Sequence, residues 1–446
     1  MQKIGEMQLL LSVVTVLLFG LFHTLHAQSC RASDPGVRDE APGAGGPIDG
    51  LTDDEAEMFV VGLVDFSAEE KVADGVGPRF NFVGCAGCHS QPAIGGTSGA
   101  VNPLFRVTEE LGFTGNVMPW FITRDGPIRE ARLQYNADGS RDGGVHNLFV
   151  ISGHPDAAGC NIGQEDFGTP DDHPNVIFRI PSPTFGAGLI EQILDSTIMA
   201  NQKADSSRKQ ALGISGRPNR NGNDGTITRF GWKAQNKSLR NFSAEAYNVE
   251  MGITNEGFQQ ERDETESCQF ASVPNDVTPS AHQLGAIENF ANFQRFLAPP
   301  IPSPDTPGGA TSIHRGREKF SDIGCNLCHT PRLQTRSYTT VVALGNQNVN
   351  LFSDLLVHHM GPGLADDIIQ GVADPDEFRT SPLWGLGQRI FFLHDGRTSD
   401  LREAIQAHKS EGNAQFGPSE ANQAIDNFND LSEEEKQDLL NFLRSL

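Results

Sequence analysis

Two pentapeptides in this 446-residue chain have the residue types and spacing for one particular chemistry. Cys85-Ala86-Gly87-Cys88-His89 is the first, and Cys325-Asn326-Leu327-Cys328-His329 is the second. Thiols at that spacing reach one edge of a porphyrin and add to its vinyl groups. The imidazole that follows directly is then presented to the iron. The pattern is the attachment signature of c-type haem. Zinc sites separate their Cys and His by longer loops. A thioredoxin-like disulfide wants a preceding strand, and Phe80-Asn81-Phe82-Val83-Gly84 is a weak one. From this composition one such pentapeptide arises by chance in roughly one chain in 300, and a pair far more rarely. Two covalently bound haem c groups are therefore expected. Cys85, Cys88, Cys325 and Cys328 would attach them, and His89 and His329 would be proximal ligands.

The elements that must position these residues are legible in part. The chain is long enough for two or three domains. Its 74 Gly and Pro residues (48 and 26) predict many loops. Thr52 and Glu55 form a capping box before Met58, Phe59 and Val61, which predicts a helix. Leu284, Ile287, Phe290, Phe293 and Leu297 recur at spacings of three and four, which predicts an amphipathic helix over 282–297. Pro299 to Gly309 holds five Pro and two Gly and reads as a linker. A last helix is capped by Ser432 with Glu435 and carries Leu439, Leu440, Leu443 and Leu446. The expected fold is mainly α with long loops and minor β, as two cytochrome c-like domains, each around a covalent haem. The boundaries are a signal peptide at 1–27 and a flexible leader at 28–50. An N-terminal haem domain with a large insertion follows at 51–298, a Pro-rich linker at 299–310, and a C-terminal cytochrome c domain at 311–446.

Charge and address narrow the function. Subtracting 57 acidic from 34 basic residues gives a net charge of −23, which excludes a nucleic-acid binder held by a basic surface. Lys3 and the apolar run from Leu9 to Phe22 read as a secretory signal ending near Ala27. Periplasmic export is the expectation. A membrane link would exist only through an uncleaved signal or a lipid anchor at Ser29-Cys30. Cys160 and Cys268 can pair in an oxidising compartment or remain free thiols, with Cys30 left over. Asn219 to Gly225 alternates oxygen-bearing side chains, but its Gly stands seventh rather than sixth and no Glu follows at twelve. A solvated turn is the expectation there, with calcium as the lesser alternative.

Further motifs carry a family resemblance. Thr380-Ser381-Pro382-Leu383-Trp384-Gly385-Leu386-Gly387, Phe391-Phe392-Leu393-His394-Asp395-Gly396-Arg397 and Leu401-Arg402-Glu403-Ala404-Ile405 follow the second pentapeptide in order. This series resembles the bacterial dihaem cytochrome c peroxidases and the MauG-type enzymes. More closely, the chain is similar to the family called dihaem oxidoreductase, once labelled thiol oxidoreductase. Phe230-Gly231-Trp232-Lys233-Ala234, Glu250-Met251-Gly252-Ile253-Thr254, Leu355 to Asp366 and Cys328-His329-Thr330-Pro331 look like its motifs. The resemblance covers roughly residues 75–446.

The resemblance implies roles. The peroxidases' second-haem ligand falls eighth in the helix that begins here at Leu401, which is His408. His329 and His408 would then ligate the second haem, with Met360 as the main rival and His358 and His359 behind it. His394 is expected to support structure or a haem propionate. Asn248-Val249-Glu250-Met251-Gly252 resembles the segment whose Glu lies over the open face of the first haem. Glu250 would take the peroxide proton and return it to the leaving oxygen; the alternative is a surface carboxylate. Trp232 resembles the residue between the two haems and would relay electrons; the alternative is core packing. No His follows His89 until His146, so an open first haem is expected. The implied function is peroxidase-like, with one electron-transfer haem and one peroxide-reactive haem. The alternatives are a plain electron carrier and a MauG-like oxidase of a protein or organic partner. The partners would be an electron donor such as a small cytochrome or cupredoxin, and a small oxidant such as hydrogen peroxide.

Overall fold

A computed structural model of the chain describes residues 31–39, 42–169, 171, 175–280 and 283–446. The segment expected to be a signal peptide (1–27), the Ser29-Cys30 pair and the first residues of the expected leader lie outside the described residues. Six helices frame the two Cys-x-x-Cys-His segments: α1 (Asp53–Ser67), α2 (Leu239–Met251), α3 (Ala286–Phe296), α4 (Ala310–Asp322), α5 (Leu401–Gln406) and α6 (Glu433–Ser445). Shorter helices and long loops fill the intervals. The strands are short and pair antiparallel. Those used below are β1 (Arg79–Phe80), β2 (Glu130–Leu133), β3 (Val145–His146), β4 (Phe149–Val150), β5 (Val176–Arg179), β6 (Leu333–Gln334), β7 (Asn348–Val349), β8 (Val357–His359) and β9 (Glu377–Arg379). They form β1-β4, β3-β2-β5, β6-β7 and β8-β9. No helix among the described residues is long and apolar enough to cross a membrane.

The same arrangement occurs twice. A helix precedes each Cys-x-x-Cys-His segment, and a later helix returns to cross it. In the first half α1 packs on α3, and in the second α4 packs on α6. The capping box at Thr52 starts α1, with Asp53, Asp54 and Glu55 complementing the helix dipole. Ser432 and Glu435 do the same for α6. Phe59, Gly62 and Phe66 form the buried stripe of α1. Ile287, Phe290 and Phe293 answer it from α3. That helix begins later than its periodicity predicts. Gly285 is its N-cap, the Asp276 carboxylate accepts from Ala286 N at 3.0 Å, and Leu284 stays outside and exposed.

Both crossings depend on a glycine. A Cβ at Gly62 would stand 2.3 Å from the Asn289 carbonyl oxygen, and one at Gly316 would stand 1.9 Å from that of Asp438. Backbones this close leave no room for a methyl group. Ser312 and Arg315 of α4 then bind the Asp438 carboxylate of α6, at 2.5 and 2.6 Å.

The sequence between the halves does not divide the core. One buried cluster joins Ile190, Ile193, Phe230 and Leu239 to Leu333, Leu351, Leu356 and Trp384. Arg217 bridges Val357 of β8, so chain from before the Pro-rich segment completes the later half. The Pro-rich segment itself is held, since Ser303 N donates to Ser445 O at 2.8 Å. Leader residues 31–39, expected to be flexible, are also anchored. Asp34 pairs with Arg444 of α6 at 2.6 Å, with Arg444 1% and Asp34 8% exposed at the side chain. A charge pair so buried holds its segment firmly, because separating it strands both charges. Cys160 and Cys268 form a disulfide, resolving the alternative left open by the sequence.

The glycine crossings give a direct check. Gly62→Ala and Gly316→Ala should each lower stability by about 1–3 kcal/mol through overpacking. Thermal melts that match the parent protein would show that the crossings are looser than this.

Candidate functional site

The first pentapeptide opens onto a cavity of about 430 Å³. Cys85 to Cys88 makes one helical turn, and His89 N donates to Cys85 O at 3.0 Å. This turn sets both thiols and the imidazole at one end of the cavity. His89 Nδ1 donates to Gly96 O at 2.9 Å, which leaves Nε2 as the ligand nitrogen. Burial holds the imidazole neutral by pushing its pKa down. It also pushes the Cys85 thiol up to about 12 and raises that of Cys88. Neither cysteine is in a disulfide. The walls are largely apolar, with Phe66, Phe82, Leu104, Tyr247 and Phe290.

Across this cavity the polar groups concentrate on two carboxylates. Glu250 lies at the last turn of α2, and Asn81 donates to its Oε2 at 2.8 Å. The Asn81 main-chain N–H also binds Glu250 O at 2.7 Å, so position and orientation are both fixed. Glu130 of β2 faces the same space and is held by Arg132 at 2.7 Å. The two residues share one strand face, because side chains alternate along β2. Burial first, and then the Glu130 charge, push the Glu250 pKa well above the ordinary carboxylate range. Burial opposes ionisation of Glu130, but the charges of Arg132 and Arg179 and the hydrogen bonds from Glu250 and Arg132 together outweigh it and hold that pKa down. The two carboxyls therefore differ within one cavity, Glu250 biased toward its protonated form and Glu130 toward its ionised form.

His89 is the only histidine in the wall of the first cavity, among the described residues. His146 binds Asp142 and Glu165 elsewhere. His154 packs on Phe113 with ring centroids 4.3 Å apart. Neither offers the first cavity a second imidazole.

The second pentapeptide opens onto a cavity of about 210 Å³. His329 N donates to Cys325 O at 2.9 Å, and His329 Nδ1 donates to Phe352 O at 3.1 Å. His408 follows α5 and donates from Nδ1 to Ala404 O at 2.8 Å. Both rings are thus turned so that Nε2 serves the cavity. They are near enough to interact: burial, then the His408 charge, push His329 down to about 4. Met360 lines the same cavity. His358 cannot ligate, because both its nitrogens are taken, by Asp354 at 2.9 Å and Glu420 at 2.8 Å. His359 points instead to Asp376 and Glu377. His394 lines the cavity, stacked on Phe378 at 4.3 Å. These donors fit a haem in each cavity: free neighbouring thiols, imidazoles oriented through Nδ1, and largely apolar walls.

Trp232 belongs to the walls of both cavities. Its indole N–H donates to Ile180 O at 2.9 Å, and its ring lies edge-on to His394 at 6.4 Å. Beside it, Lys233 is fully buried. Its ammonium binds the carbonyls of Asp374, Pro375 and Glu377 and stands 3.1 Å from Asp366, which also binds Arg179. The Asn219–Gly225 segment is a turn whose oxygens are already engaged. Asn221 accepts from Asn223 N, while Asp224 accepts from Thr226 and Lys237.

Sequence reasoning brought forward His89, Glu250, Trp232, His329, His408 and Met360, and the fold gathers them around these two cavities. It missed Asn81 and Glu130. Asn81 stands only four residues before Cys85. Glu130-Ala131-Arg132 carried a usable signal in its alternating charges, which place both side chains on one strand face.

Residues 169–446 match the model of the family described as "Di-haem oxidoreductase, putative peroxidase". No curated protein matches the chain. One similar solved structure is a MauG-like protein associated with microbial copper homeostasis. It is 16% identical, with a TM-score of 0.35, covering 92% of this chain and 94% of that chain. Another is the hydrazine synthase of Kuenenia stuttgartiensis, 19% identical with a TM-score of 0.23, covering 36% of this chain and 55% of that one.

The His358 cluster yields a pH dependence. Burial raises the Glu420 pKa, but the His358 hydrogen bond and charge, with Ser215, outweigh burial and bring it to about 2 from an ordinary 4.5. A depressed carboxylate adds stability above its unfolded pKa and loses it as pH falls toward its folded pKa. Glu420→Gln should therefore be less stable at neutral pH, with the deficit shrinking from pH 4.5 toward about 2. Urea denaturation at a series of pH values checks this. A deficit that stays constant across that window would remove the carboxylate from the explanation.

Proposed function

The chain belongs to the di-haem oxidoreductase family, and from that premise we propose an exported c-type dihaem oxidoreductase with peroxidase-like activity. The observation that carries the reading is the asymmetry of the two cavities. The second offers two oriented imidazoles, His329 and His408. The first offers His89 alone and, in place of a second imidazole, the carboxyl of Glu250. Ligands on both faces suit electron transfer, and one open face suits reaction with a small oxidant.

Cys85 with Cys88 and Cys325 with Cys328 supply the thiols for covalent attachment. When bound, haem supplies redox-active iron, for electron transfer in the second cavity and peroxide reduction in the first. The protein's own work is in protons and position. Peroxide reduction consumes two electrons and two protons per peroxide and yields two waters. Glu250 exchanges a proton with the oxidant, and Asn81 keeps its carboxyl aimed. Glu130, fixed by Arg132, adds to burial the negative charge that raises the Glu250 pKa. Trp232, common to both walls, is the residue through which electrons pass between the cavities. Export through residues 1–27 would bring the chain to the periplasm, where haem c attachment and the Cys160–Cys268 bond are chemically favoured. Its acidic surface suits a basic donor such as a small cytochrome or cupredoxin.

The test begins with mass. The purified protein should carry two haems, each adding on the order of 0.6 kDa, or roughly 1.2 kDa in all. Turnover of hydrogen peroxide with a reduced donor should fall by roughly 10²–10⁴-fold in Glu250→Gln, which keeps the shape but cannot exchange a proton. His408→Ala should change the spectrum of the second haem and leave that of the first. A bare polypeptide, or a Glu250→Gln variant with full turnover, would refute the proposal.

A further inference from the structure

We propose that Arg379 and Arg389 form a dianion clamp in the second cavity and take the two propionate carboxylates of its haem. This rests on the two-haem reading above and adds the residues that hold the acidic edge of the cofactor.

Both arginines line the second cavity, with Arg389 7% and Arg379 9% exposed. Arg379 Nε donates to Gly231 O at 3.0 Å. Among the described residues no carboxylate pairs with either guanidinium. Among those residues Arg389 has no side-chain hydrogen bond, and Arg379 has only the one from Nε. A guanidinium buried to this degree is strongly unfavourable unless an anion compensates it. The two also repel. Burial and the Arg389 charge push Arg379 down to about 10, and burial and the Arg444 charge do the same to Arg389.

The neighbouring groups do not resolve the imbalance. Arg444 is already neutralised by Asp34, through hydrogen bonds of 2.6 and 2.7 Å. The carboxylate in the cavity wall, Glu420, is engaged by His358 and Ser215. His394 is kept neutral by burial, which pushes its pKa down to about 4. Two positive charges therefore remain, facing a largely apolar space that already holds two oriented imidazoles and two free thiols. A ligand with a flat apolar body and two carboxylates at one edge meets every one of these features. Guanidinium groups suit carboxylates in particular, because their paired N–H donors match both oxygens.

The placement has a consequence for the route between cavities. Arg379 N donates to Trp232 O at 2.8 Å, and its side chain binds the carbonyl of the residue before. The clamp and Trp232 thus share one piece of wall.

The test uses full-length holoprotein with Arg379→Gln, Arg389→Gln and the two charge-keeping Lys substitutions. Haem content is read by mass first. The second-haem potential is then followed spectroelectrochemically from about pH 5 to 8, where a released propionate titrates. In the parent protein it should be nearly independent of pH. In each Gln variant it should be lower, because a nearby positive charge disfavours the oxidised state, and it should rise as pH falls. The Lys variants should recover most of the parent behaviour, and the first-haem potential should stay unchanged in all. Gln variants with the parent potential and pH profile would overturn the clamp. Should no Gln variant fold, resonance Raman decides on the parent and Lys proteins. Propionate bending bands of strongly hydrogen-bonded groups that shift in the Lys variants support it, and bands of free propionates overturn it. A parent protein lacking the second haem overturns the underlying two-haem reading instead, and the mass shows this before any potential is measured.

Discussion

An imidazole can serve a metal only if one ring nitrogen is kept unprotonated and pointed at it. In this protein that condition is met by main-chain carbonyls. Gly96 holds His89, Phe352 holds His329 and Ala404 holds His408, each through Nδ1. The bond sets the tautomer and the ring orientation together. Each carbonyl must in turn be fixed to a fraction of an ångström. Much of the fold can be understood as the means to that end.

The helix crossings are the first part of those means. Each brings a helix that leads to a Cys-x-x-Cys-His segment against a helix that closes the same half. At Gly62 and Gly316 the approach is close enough to exclude a side chain. Aromatic rings then set the imidazoles: Phe66 lies edge-on to His89 at 6.0 Å, and Phe320 of α4 packs on His329 at 6.3 Å. A shift in either crossing would be passed to the ring and its nitrogen. The Asp34–Arg444 pair fastens the leader onto α6 in the same region, adding a tie across most of the chain length.

Burial has opposite effects on the two cavities. In the first it acts on carboxylates, and the unequal surroundings of Glu130 and Glu250 shift their pKa values in opposite directions. In the second it acts on cations, Arg379 and Arg389, which have no carboxylate counterion among the described residues. The neutral imidazoles are common to both. The first set of walls thus holds a carboxyl pair and the second a guanidinium pair. Between them Trp232 is fastened at both its indole nitrogen and its carbonyl oxygen.

The sequence alone determined what depends on neighbouring residues. Thiols three positions apart, with an imidazole directly after the second, announce their chemistry without a fold. The capping boxes at Thr52 and Ser432 mark helix starts because a cap is made within one turn. The ordered motifs around Trp232, Glu250 and His408 pointed to site residues before any geometry. What lay beyond reach was set by distance along the chain. Glu130 faces Glu250 across 120 residues, and Asp34 meets Arg444 across 410. His358 looked like a rival ligand until the fold placed Asp354 and Glu420 on its two nitrogens. Arg379 and Arg389 are ordinary in sequence; only the fold shows that no carboxylate among the described residues reaches them. Such facts belong to tertiary structure because the charge state and reach of a side chain are decided by everything packed around it.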